Sequence, residues 1–388
     1  MNDLKQMEIE TVVTSLYDIP AGECWGYEQI NQLKQYIERA GLTWQVVESL
    51  PVAEGIKQHT ADYDRLVHHY IQSLRNLAEN GITTVCYNFM PAIDWLRTDL
   101  DDTLPSGGVI MNFDYIKFIA FDLFILQRPD AENDYTEGQI HKADKLYALL
   151  SEKEREDLAY NIIVKTQAFI HGQPDPSDYK KAFLTTLENY RTIDKQTLRN
   201  NLATFLRDVT GETRELGIRL AIHPDDPPFP VLGLPRIVST FEDLQWIFQT
   251  IPDEANGLTF CSGSLSASKD NDVKKILKTF AHRIYFAHLR NNKVSDNGDF
   301  HETGHLTGDV DLAELIYFLL AEQIKRQRSD PTNVRIPVRP DHGIKMLDDF
   351  KRDSPPGYPL IGRFKGLTEI TGVETGILYM LKNKTSLS

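Results

Sequence analysis

Short apolar runs that stop, one after another, on residue types able to bind a transition metal constrain this chain more than any other feature. Leu220-Ala221-Ile222 runs into His223, Leu258-Thr259-Phe260 into Cys261, and Ile284-Tyr285-Phe286-Ala287 into His288. A fourth run, Val334 to Arg339, is broken by Pro337 and leads to Asp341. Polar or Gly-rich residues follow each stop: Pro224-Asp225-Asp226, Ser262-Gly263-Ser264, Arg290-Asn291-Asn292 and His342-Gly343. Runs of this length bounded by loop residues read as parallel strands, and in α/β barrels the C-terminal strand ends and the loops after them converge on the active site. A single His or Cys on such a run is ordinarily a core residue. Four in succession, carrying His, Cys, His and Asp, predict a metal enzyme.

Strand-like and helix-like segments alternate around these runs, as in βα folds. Val12–Tyr17, Thr43–Glu48 and Thr83–Phe89 read as strands, the last ending in Asn88-Phe89-Met90-Pro91. Tyr27–Arg39 and Tyr63–Glu79 read as helices stopped by Gly41 and Gly81. Later helices are predicted at Leu198–Leu216, Thr240–Thr250, Asp272–Phe280 and Asp311–Arg326. From Ala92 to Asp194 the pattern holds helical stretches and no strand, which predicts a helical insertion at about 92–194 with segments Phe113–Gln127, Glu137–Gln167 and Ser177–Tyr190. Seven strands result, where a closed barrel has eight. The expected fold is therefore α/β, a TIM (β/α)8-type barrel with a helical insertion and its first strand missing or atypical. With no repeat or linker, residues 1–388 are expected to form a single domain.

A net charge of −14 argues against nucleic acid as a partner, since phosphate binding needs a basic face. An anionic substrate would require cations concentrated at the site. Arg290, two residues after His288, leaves the same side of its strand and suits a carboxylate. The widely spaced Cys24, Cys86 and Cys261 give no disulfide framework, which fits a reducing cytoplasm. The N-terminal segment lacks the apolar core of a signal peptide, and the most apolar stretch, Phe118–Leu126, is interrupted by Asp122. His301-Glu302-Thr303-Gly304-His305 matches the H-E-x-x-H pattern of zinc proteases, which works only on a helix. Its neighbours Asp296-Asn297-Gly298-Asp299 and Thr307-Gly308-Asp309 are loop composition, so the protease reading is rejected. His305 is retained as a candidate pocket residue.

The chain resembles the mannonate dehydratase family. The matching stretches are Thr84–Pro91, Asp94–Asp99, His223–Pro228 (His-Pro-Asp-Asp-Pro-Pro), Gly233–Val238, Arg339–Gly343 (Arg-Pro-Asp-His-Gly), and Gly357-Tyr358 with Gly362-Arg363. The resemblance implies a cytoplasmic TIM-barrel enzyme of hexuronate catabolism that converts D-mannonate to 2-keto-3-deoxy-D-gluconate with a divalent metal; the expected partners are this sugar acid and further copies of the chain, with no nucleic acid and no membrane. It places the metal ligands on His223, Cys261, His288 and Asp341, and the catalytic pair on His342 and Tyr358. Asn88, Arg290, His305, Arg339 and Arg363 are expected to bind substrate. The metal implied is Mn2+, with Fe2+, Co2+, Mg2+ or Zn2+ as alternatives, because thiolate favours softer ions while carboxylate tolerates Mn2+. The family opens with an aromatic-rich strand that has no counterpart before Val12, in keeping with the count of seven. Two other readings compete: a metal-dependent sugar isomerase or epimerase on a similar barrel, and a sugar-acid-binding protein without turnover.

Overall fold

The computed structural model describes residues 1–167, 179–329 and 335–383. The chain divides into two compact units, Met1–Leu96 with Tyr115–Thr259, and Arg97–Asp114 with Phe260–Ser388.

Among the described residues the first unit holds five parallel strands: β1 (Thr11–Thr14), β2 (Thr43–Glu48), β3 (Thr84–Tyr87), β6 (Arg219–Ile222) and β7 (Asn256–Cys261), ordered β1-β2-β3-β6-β7. The last two residues of β7 already belong to the second unit. All of β3 and three of the four residues of β6 are buried, which is why they read as unbroken apolar runs rather than alternating ones. Helix Tyr63–Glu79 buries Leu66, Val67, Tyr70, Leu74 and Leu77, one stripe at helical spacing. It packs on helix Lys195–Glu215, which buries Leu198, Leu202, Phe205, Leu206 and Val209, with the Tyr70 and Phe205 rings edge-on at 5.1 Å. Each such buried side chain contributes about 1.5–3 kcal/mol.

The insertion expected at 92–194 is helical only from Tyr115 onward, and this corrects the sequence reading. Ahead of it lie two strands of the second unit, β4 (Asp99–Thr103) and β5 (Val109–Phe113), paired antiparallel. The sequence Asp-Leu-Asp-Asp-Thr hides β4, because aspartate is depleted in strands. The segment read as one helix over Glu137–Gln167 is also broken. Ser151 starts a new helix, Glu152–Tyr160, with a capping box to Glu154. Of Ser177–Tyr190, the helix Tyr179–Glu188 is described and residues 177–178 lie outside the described residues.

The second unit pairs β8 (Ile284–His288) in parallel with β11 (Val338–Arg339), setting Arg339 opposite His288. Val334, the expected start of that last strand, lies outside the described residues, and Pro337 supplies no ladder donor. β9 (Asn292–Val294) and β10 (Phe300–Glu302) complete an antiparallel sheet ordered β4-β5-β10-β9. Helices Val273–Phe280, Leu312–Ser329 and Leu360–Asn383 cover this unit. Among the described residues the parallel strands number seven, as expected. Before β1 the described chain forms the short helix Asn2–Gln6 and no strand.

Candidate active site

Three of the four predicted metal ligands meet in the second unit. Cys261 ends β7 fully buried, and its sulfur caps the short helix Ser262–Ser266. The Ser264 backbone N–H (3.4 Å) and hydroxyl (3.1 Å) both donate to that sulfur, which therefore serves as an acceptor. His288 ends β8, also buried, with its ring edge-on against Phe286. Asp341 follows Pro340 in the left-handed region at φ +62°. Its Oδ2 lies 4.0 Å from Cys261 Sγ and 3.8 Å from His288 Nδ1.

Asp341 is a hub. Burial alone would push its carboxyl up, but His342, Arg339, His288 and Arg290 together hold it well below the usual carboxylate range. Arg339 donates to Oδ1, and Arg290 Nη1 stands 3.4 Å from Oδ2. Arg363 Nε donates to the Asp341 carbonyl at 2.8 Å, and His305 Nε2 lies 2.8 Å from the Pro340 carbonyl. Burial lowers the pKa of His305, so it binds that carbonyl as a neutral ring. The predicted pocket residue His305 thus holds the backbone of the Asp341 loop in place. Its former motif partner His301 is half-buried on β10 and remains without a role.

The predicted catalytic pair lies alongside. His342 is buried, 5.1 Å from the Tyr358 ring in an edge-on arrangement. Arg339 Nη2 donates to the Tyr358 hydroxyl at 3.2 Å, and the Arg363 guanidinium lies 5.1 Å over the Tyr358 ring. Gly357 has φ +78°, and a Cβ there would stand 2.4 Å from Met111 Cε and 3.1 Å from the His342 ring, so this approach requires glycine. His342 Nδ1 faces Glu302 Oε1 at 2.6 Å, and Arg97 Nη2 bonds the same oxygen at 3.2 Å. Burial pushes Glu302 up, yet His342, Arg290 and Arg97 bring it below its ordinary value, so it is ionised at neutral pH.

Sequence reasoning overlooked Glu302, Arg97 and Ser264. Glu302 sat in the rejected motif, and Arg97 in a stretch quoted only for its family likeness. The separation of 205 positions between Arg97 and Glu302 leaves no local signal of their pairing. Arg97, Arg290 and Arg339 converge on two carboxylates, Glu302 and Asp341, and Arg363 binds the Asp341 backbone carbonyl, so four guanidinium groups against two carboxylates make the pocket cationic in a chain of net charge −14. That answers the need for cations around an anionic substrate.

In the first unit, His223 follows β6, and its backbone N–H donates to the Tyr87 carbonyl. Its Nδ1 lies 2.7 Å from the Pro224 carbonyl, which can only accept. Nδ1 therefore carries a proton, which leaves Nε2 as the ring nitrogen that would face a metal. Asn88, just beyond β3, is half-buried, and its side-chain oxygen accepts from the Met90 N–H at 3.4 Å.

Acceptor side chains at the C-terminal ends of parallel strands, with a cationic pocket beside them, define an enzyme of the (β/α)8-barrel class. A family model described as D-mannonate dehydratase (UxuA) matches residues 1–384. The chain belongs to the D-mannonate dehydratase family and is a carbon–oxygen lyase of carbohydrate catabolism. It is 47% identical to a mannonate dehydratase of Chromohalobacter salexigens over 97% of this chain and 95% of that one. A mannonate dehydratase of Marinomonas sp. is 43% identical over the same shares. The crystal structure of mannonate dehydratase from Streptococcus suis serotype 2 superposes with a TM-score of 0.75 at 30% identity, covering 98% of this chain and 90% of that one. D-psicose 3-epimerase from Clostridium cellulolyticum H10, at 10% identity and a TM-score of 0.50 over 97% of this chain and 92% of that one, shares the fold alone.

Proposed function

We propose that the chain converts D-mannonate to 2-keto-3-deoxy-D-gluconate in hexuronate catabolism, using a divalent metal held by His223, Cys261, His288 and Asp341. The observation that carries this is the convergence of Cys261 Sγ and His288 Nδ1 on Asp341 Oδ2 at 4.0 and 3.8 Å. Atoms sharing one ion at about 2.0–2.3 Å each lie no further apart than roughly twice that length, so the residues fit the group. The Asp341 carboxylate, held ionised, is in the state a cation requires, and the Cys261 sulfur turns its lone pairs to the Ser264 donors beside it. His223 enters the set through its motif and through Nε2, the ring nitrogen not engaged by the Pro224 carbonyl. Mn2+ is preferred on the resemblance, with Fe2+, Co2+, Mg2+ and Zn2+ as alternatives, because the donors are of mixed softness.

The reaction removes a weakly acidic proton from C2, next to the carboxylate, and expels the C3 hydroxyl as water. When bound, the metal supplies Lewis acidity that stabilises the enediolate charge. Arg339, Arg290 and Arg363 set a cationic field for the substrate carboxylate. His342 and Tyr358 move the two protons, both being side chains able to exchange them in a tuned site. Asn88 and His305 complete the substrate-facing set, His305 by fixing the loop that carries Asp341.

A cytoplasmic location is proposed on the resemblance, and self-association into a homo-oligomer is proposed with it. Among the described residues, no helix is long and apolar enough to cross a membrane.

Purified protein stripped of metal, incubated with D-mannonate and then resupplied with Mn2+, tests the reading. Appearance of a 2-keto-3-deoxy acid only after resupply is the expected result. A product of unchanged mass would indicate an isomerase instead, and binding without turnover a non-catalytic protein.

A further inference from the structure

The motif His301-Glu302-Thr303-Gly304-His305, excluded as a helical metal site, acquires a different use. On strand β10, His301 and Glu302 point to opposite faces. Glu302 is buried, and its Oε1 lies 2.6 Å from His342 Nδ1, 3.2 Å from Arg97 Nη2 and 3.4 Å from Arg290 Nη1. His342 Nδ1 thus has two neighbours with opposite demands. The Glu302 carboxylate only accepts, while Arg290 Nη1, at 2.8 Å, only donates.

The geometry decides between them. Arg290 Nη1 has other acceptors within reach, Glu302 Oε1 and Asp341 Oδ2, each at 3.4 Å. A bare Nδ1 would instead set its lone pair against a carboxylate oxygen 2.6 Å away, with no proton between them. The proton therefore belongs on Nδ1, in a short charge-assisted bond to Glu302.

We propose that Glu302, itself held by Arg97, is a positioning residue that fixes His342 in its Nδ1–H form and presents Nε2 as a proton acceptor. This rests on the catalytic role proposed above for His342 and deepens it by assigning directions. His342 Nε2 takes the C2 proton as the C2–H bond breaks and the C2–C3 double bond forms. Tyr358, whose oxygen already accepts from Arg339, gives its own proton to the departing C3 hydroxyl, which leaves as water. The resulting enol ketonises with a proton added at C3, from His342, while the enol hydroxyl proton restores the Tyr358 phenol. Carboxylate–imidazole pairs elsewhere fix a histidine tautomer in the same way.

Protein carrying 15N-labelled histidine and loaded with diamagnetic Zn2+ provides the test. Long-range 1H–15N correlation identifies His342 by the signals lost in His342→Gln and reports which ring nitrogen is protonated. The wild type should show Nδ1–H. Glu302→Gln should shift that ring towards Nε2–H and lower kcat for D-mannonate by about 10²–10⁴-fold, with KM and bound metal unchanged. Glu302→Asp keeps the charge opposite Arg97 and Arg290 but withdraws the oxygen by one methylene. It should fold, hold metal and still lose kcat. An Nε2–H ring in the wild type overturns the inference, as does near-normal kcat in Glu302→Asp. If the wild type shows Nδ1–H, lost in Glu302→Gln, yet never dehydrates D-mannonate, the positioning stands and the assigned reaction fails.

Discussion

Replacing Asp94 with asparagine should stabilise the protein at neutral pH and leave it unchanged in acid. Asp94 lies two residues after Ala92, whose φ is +56°. Its N–H donates to Gln167 Oε1 at 2.7 Å, and its carbonyl accepts from Arg236 Nη2 at 3.3 Å. Burial pushes its carboxyl from 3.8 up to about 6, against the downward pull of His223, Lys57 and Arg236 and with a further push from Asp226. Between those values the folded chain holds a proton that the unfolded chain has released. The stability this contributes is complete below 3.8 and is lost as pH rises through about 6. A shift of roughly two units corresponds to about 3 kcal/mol. The residue keeps partial solvent access, which makes that figure a ceiling. Asparagine mimics the protonated carboxyl in shape and carries no charge. Urea midpoints should therefore nearly coincide for wild type and Asp94→Asn near about pH 3, then diverge in favour of the variant by up to about 3 kcal/mol at about pH 8, with equal slopes. Equal differences at both pH values, or a variant less stable at pH 8, would refute the claim that burial dominates this carboxyl.

Two substitutions separate ligand from catalyst. Cys261→Ser should lower metal affinity at least about tenfold, with activity falling in step, as followed by metal analysis and turnover. Tyr358→Phe should keep its metal and lose kcat by about 10²-fold or more, and near-normal kcat would remove Tyr358 from the mechanism. Gly263→Ala places a Cβ 2.1 Å from Arg290 Nε and 2.9 Å from Arg290 Cβ, too close for a shift of the side-chain tip to relieve. It should cost about 1–3 kcal/mol of stability and raise KM for D-mannonate as Arg290 moves. Thermal melts and steady-state kinetics check both, and wild-type values in each would show that Arg290 is not anchored at this position.

The sequence determined what local periodicity encodes. Unbroken apolar runs revealed β3 and β6 because a parallel strand covered on both faces has no polar alternation. Helix Tyr27–Arg39 was readable from its amphipathic spacing and its Gly41 stop. The positions of His223, Cys261 and His288 at strand ends were legible for the same reason, since each follows directly from a run that terminates. Asp341 was nearly lost, because Pro-Asp-X-Gly is ordinary turn chemistry and only its companions singled it out. Strand β4 was hidden entirely. Its aspartates are poor strand formers, and its pairing with β5 supplies what propensity does not. What only the tertiary structure decided was the partnership among distant charges. Glu302 meets Arg97 and His342, and Arg339 meets both Asp341 and Tyr358, across separations that no local pattern can report. A buried charge needs an oppositely charged or hydrogen-bonding partner, but the requirement names only the kind of partner. Which residue fills it is fixed when the chain folds and brings the two together.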